Sequence, residues 1–126
     1  MRKILVGAVL AMAGCIEAEA TYENMQRQLA KCRMTHGPGQ VSSIALAQCL
    51  NDHYAAYWQK AKDPDPDLTQ LVITERMRLA ELVERGSLTI FDAEAAFENV
   101  LLKVAAEEAS RRKNGGERKA TSYVRG

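Results

Sequence analysis

The sequence predicts an all-α protein: four helices arranged as two antiparallel hairpins, with a disulfide between the first two helices. Three observations predict this. Apolar residues recur at spacings of three and four in four separate stretches. Glycine and proline gather in short spots between those stretches. Aromatic residues make up only 6% of the chain and alanine is abundant, a composition that favours helices over a sandwich or barrel. The 126 residues are enough for one small domain.

The first helix is expected over Glu17 to Met34, with Tyr22, Met25, Leu29 and Cys32 on one face. Thr35 to Gly39 ends it, because Gly37-Pro38-Gly39 frees the backbone and removes a donor at Pro38. The second helix begins near Val41, or after a Ser42 or Ser43 cap, and runs to about Lys62. Its buried candidates are Ile44, Leu46, Cys49, Leu50, Tyr54, Tyr57, Trp58 and Ala61. The aromatic group reads as core with polar tips near the surface. Asp63-Pro64-Asp65-Pro66-Asp67 is a stiff charged linker. Asp65 can cap the next helix, Pro66 suits its first position and Asp67 suits the positive end of its dipole.

The third helix spans Leu68 to Arg85 on a stripe of Leu68, Leu71, Val72, Leu79, Leu82 and Val83. Glu75, Arg76, Arg78, Glu81 and Glu84 fall mostly off that stripe. Gly86 is a natural stop. Thr89 with Asp92 approximates a capping box, and Leu88 can staple against Ala93. The fourth helix then runs to about Arg112 on Ile90, Ala93, Phe97, Val100, Leu101, Val104 and Ala105. The short turn between these two amphipathic helices makes them antiparallel neighbours. Residues 113–126 lack apolar periodicity and are expected to form a disordered basic tail.

The chain opens with Arg2 and Lys3, an uncharged apolar run from Ile4 to Met12, and small residues before Cys15. This is the layout of a secretory signal, and the run is about half the length a membrane span needs. Met12-Ala13-Gly14-Cys15 resembles the lipobox of bacterial lipoproteins, over the first fifteen residues only. The resemblance implies a signal peptide of residues 1–14, cleavage before Cys15, and lipid on Cys15. The mature domain would then be residues 15–112. Ile16, where Asp would favour retention in the inner membrane, implies the outer membrane, facing the periplasm. The other reading of the residues is an ordinary cut after Ala18-Glu19-Ala20, which leaves a soluble periplasmic or secreted protein. The pattern from Leu29 to Arg112 also resembles small helical exported proteins of alphaproteobacteria, a resemblance that implies no activity.

Under either cut Cys32 and Cys49 remain, an even pair in an oxidising compartment, and a disulfide is expected between them. A direct hairpin would misalign them by about five residues, or ~7 Å. The bond closes if residues 35–43 are loop and the second helix starts late.

No metal site, catalytic site or cofactor is assigned. Cys49 and His53 have ligand spacing, but two ligands do not make a structural zinc site. Asp52 and His53 with Ser42 or Ser43 could be drawn as a triad, with no support from chain order. Asp63, Asp65 and Asp67 lack the glycine and distal Glu of a calcium loop. A small hydrolytic enzyme is therefore disfavoured. The expected function is a non-enzymatic, lipid-anchored envelope module, structural or protein-binding. Its partners are the membrane through the N-terminal lipid, and a protein or second copy through apolar helix faces. Between Cys15 and Ser110 nine basic residues face fifteen acidic ones, whereas Arg111 to Gly126 holds six basic and one acidic. The basic tail suits anionic envelope surfaces rather than nucleic acid.

Overall fold

The computed structural model describes residues 21–115. The expected signal, the lipid site Cys15 and the tail beyond Gly115 lie outside the described residues. Four helices follow one another: α1 Tyr22–His36, α2 Ile44–Lys60, α3 Pro66–Glu84 and α4 Ile90–Asn114. Each packs on the next. Paired positions run in opposite directions. Cys32 meets Cys49 and Tyr22 meets Tyr57. Asn51 reaches Ile73, and Arg111 reaches Asp65. All neighbours are therefore antiparallel, and the predicted fold class holds.

Local chemistry sets the boundaries. The hydroxyls of Thr21, Ser43 and Thr89 accept from the amides of Asn24, Leu46 and Asp92, capping α1, α2 and α4. Pro66 occupies the first turn of α3 as predicted. Gly86, at φ +76°, closes α3 while its amide donates to the Val83 carbonyl. At Asp65 the expectation fails in part: it stands at the cap position but makes no side-chain cap bond. Its carboxylate is taken by arginines from α4.

The core has two parts. One joins Val41 and Ala47 to Leu68, Val72, Leu79 and Ala80 of α3 and Ala93, Phe97 and Val104 of α4. The other packs Met25, Leu29 and Cys32 of α1 against Leu46 and Leu50 of α2. α2 thus serves both, with α1 on one side and the α3–α4 hairpin on the other.

Several expected core positions lie outside. Tyr22 and Ile90, each the first residue of its helix, are exposed because no other described residue packs over them at the ends of the bundle. Ala61 is the exposed C-cap of α2, and Ala105 is turned about 100° from the buried Val104. Arg76 and Arg111, assigned to polar face and tail, are each only 3% exposed. Their positions continue the stripes of Val72 and Leu79, and of Phe97 and Val104.

The α1–α2 loop locks the halves together. Val41 is fully buried within it. The Glu94 carboxylate of α4 accepts from the amides of Gln40 and Val41, both at 2.8 Å. Glu84 accepts from the Ile44 amide at 2.8 Å, and Arg33 donates to the Gly39 carbonyl at 2.9 Å.

Candidate functional site

The residues singled out in the sequence fall into two places. On the α1–α2 face, Cys32 and Cys49 form the expected disulfide, with Cα atoms 5.8 Å apart. The late start of α2 at Ile44 supplies the register that the bond requires. The His53 ring lies one turn beyond Cys49. Its nitrogen and the two sulfurs fall within 4.8 Å of one another. Three potential ligands therefore do converge, one more than the spacing alone identified. The S–S bond takes both thiolates, which are the forms that bind metal.

An open groove of about 240 Å³ adjoins His53, between Thr21, Asn24 and Gln28 of the α1 side and Ala56, Tyr57 and Lys60 of α2. It is below the usual size range of small-molecule pockets. The triad drawn from the sequence does not assemble. The Ser43 hydroxyl accepts from the Leu46 amide, and the Ser42 hydroxyl donates to the Pro38 carbonyl. Ser43 caps α2 about 15 Å along its axis from His53, and Ser42 stands in the loop before it. Asp52 accepts instead from the Gln48 side chain at 3.0 Å.

The second place is the acidic linker. Asp63 accepts from the Asp65 amide at 2.8 Å and from the Thr69 hydroxyl. Arg111 donates to Asp65 at 3.0 Å, to both oxygens of Asp67 at 3.0 and 2.6 Å, and to Glu107 at 3.0 Å. Arg112 reaches Asp65 at 3.4 Å. The acidic run is thus a structural receptor for the end of α4. The Arg111 fork holds the Asp67 carboxyl below its ordinary value, and Asp67 in turn raises Arg111. Sequence reasoning missed this clamp because its halves lie more than forty residues apart.

Deeper in the core, Arg76 donates to Asn51 Oδ1 at 2.8 Å and to Gln40 Oε1 at 2.9 Å. Its guanidinium stacks 4.9 Å from the Phe97 centroid and 5.6 Å from that of Tyr54. Burial pulls it down to about 10, still charged at neutral pH. These ionic groups are spent on joining helices.

Comparison with known protein families, curated proteins and solved structures finds no match. Among the described residues no helix is long and apolar enough to cross a membrane.

Proposed function

We propose that this protein is a non-enzymatic helical module of the cell envelope, exported and held by lipid on Cys15. Its folded body would face the periplasm from the outer membrane and serve as a structural or protein-binding element. The observation that carries this reading is Met12-Ala13-Gly14-Cys15 standing directly behind a short uncharged apolar run. Two further features support it. The Cys32–Cys49 bond suits an oxidising compartment, and it uses every cysteine of the sequence except Cys15. Thr21 is the N-cap of α1. A cut after Ala20 would place a new ammonium at the positive end of that helix, an unfavourable contact worth a few tenths to about 1 kcal/mol. A cut before Cys15 instead leaves a short tether ahead of the cap.

Growth of producing cells with labelled fatty acid tests the proposal. Label is expected in the wild-type chain and absent from Cys15→Ser. Label in both chains, or in neither, rejects lipid anchoring at this residue. An intact mass that begins at Thr21 would assign the soluble alternative.

A further inference from the structure

Among the described residues, one group of three metal-ligating side chains converges: Cys32 of α1 with Cys49 and His53 of α2. Antiparallel packing assembles it. Cys49 and His53 are four apart, so they share one face of α2. Cys32 meets that face from α1, its Cα 5.8 Å from that of Cys49. Gln28, one turn before Cys32, lines with His53 the groove that opens beside the cluster. Facing helices of a bundle hold metal ions with inward side chains paired in this way. Oxidised, the cysteine pair offers no thiolate, and the ligand set stays closed.

We propose that reduction of Cys32–Cys49 opens a zinc site whose ligands are the two thiolates and the His53 imidazole. The reductant is a dithiol. Its thiolate attacks the sulfur of Cys49, which is part-exposed, whereas Cys32 is only 1% exposed. Cys32 leaves as thiolate, and the second sulfur of the dithiol then displaces Cys49. Two electrons pass to the cysteine pair, and the reductant departs as its own disulfide. Two protons end on Cys32 and Cys49, and Zn2+ displaces both to solvent. Tetrahedral zinc sets two sulfurs about 3.7 Å apart and an imidazole nitrogen about 3.5 Å from each. All three ligand atoms already lie within 4.8 Å of one another. Breaking the bond therefore asks for side-chain rotation and no change of helix register. The groove beside His53 leaves a fourth position for water. Two thiolates and an imidazole select zinc over magnesium or calcium. The cation then holds α1 on α2 where the covalent link did.

Export and the zinc site are separable. Lipid on Cys15 takes none of the three ligands, and in an oxidising compartment the site stays closed until a dithiol arrives.

The full-length Cys15→Ser chain, whose only thiols are Cys32 and Cys49, provides the test. It is reduced with a phosphine, which is then removed without air. The reduced chain is expected to bind one Zn2+, read by competition with a chromophoric chelator, and the oxidised chain none. Co2+ in place of zinc should give thiolate charge-transfer absorption and the strong visible bands of a tetrahedral ion. Zinc should raise the unfolding midpoint of the reduced chain, restore any helix lost on reduction, and leave the oxidised midpoint unmoved. His53→Ala should keep the helix content of the oxidised protein. It should weaken zinc binding by more than the ~10–100-fold typical of losing a residue that only orients a ligand. No zinc on the reduced chain overturns the proposal. So do equal binding by the oxidised chain, an octahedral cobalt spectrum, or an affinity indifferent to His53→Ala.

Discussion

Arg76 is a core cation held by two amide oxygens and two aromatic faces, with no carboxylate among the described residues hydrogen-bonded to it. Such a residue is costly to bury and costlier to remove carelessly. Arg76→Ala leaves a cavity and strands the Asn51 oxygen, and a loss of about 3 kcal/mol is expected. Arg76→Met strands the same oxygen but fills most of the volume and removes the desolvated charge, so a smaller loss than for Ala is expected. Urea unfolding of the two variants checks this, and equal losses would show that the guanidinium's hydrogen bonds and ring contacts, not its volume, carry the effect. The position was legible in part. Arg76 lies four residues after Val72 and three before Leu79, on the stripe itself. Its charge argued for an outward face, and nothing local reveals that Phe97 and Tyr54 close over it. The cysteine pair was legible for the opposite reason, since setting Cys15 aside and expecting an oxidising compartment names the partners without any geometry.

Among the elements, the helices were readable and the α1–α2 loop was not. Ser43, Thr89, Pro66 and Gly86 act within a turn of themselves, so their signals survive in the bare sequence. The break at Gly37-Pro38-Gly39 was equally plain. What the loop does there depends on Glu94, more than fifty residues away. Gly39 shows the difference. It stands at φ +94°, and a Cβ there would collide with the Glu94 carboxylate. Gly37 has φ +109° but open space around it. Gly37→Ala is expected to cost about 1 kcal/mol from backbone strain alone. Gly39→Ala adds displacement of the carboxylate that satisfies two backbone amides, and about 3 kcal/mol is expected. Thermal or urea unfolding of both variants measures the gap. A gap near zero would mean that the Glu94 contact contributes little.

For the molecule as a whole, α1 adds to α2 through a disulfide and a small core, while α3 and α4 close on each other through the ionic clamp. The sequence held both halves of the clamp, an acidic linker and a basic run, yet each had a sufficient local explanation as helix start and solvated tail. Acid should expose it. The Asp67 carboxyl lies below its ordinary 3.8 in the folded protein, chiefly through hydrogen bonds from Arg111. A carboxyl depressed by folding binds its proton more readily in the unfolded chain. Its contribution to stability is therefore complete above the unfolded value and is lost as pH falls through the folded one. Wild type should be more stable than Asp67→Asn at pH 6, and the gap should close as pH drops from about 4 toward 2. Glu75, also depressed, by Arg78, contributes to both chains and cancels in the difference. Urea midpoints followed by helix signal across that range give the measurement. A gap that stays constant with pH would mean that Asn keeps the Arg111 contact and that the carboxylate's charge is not what closes α4 onto α3.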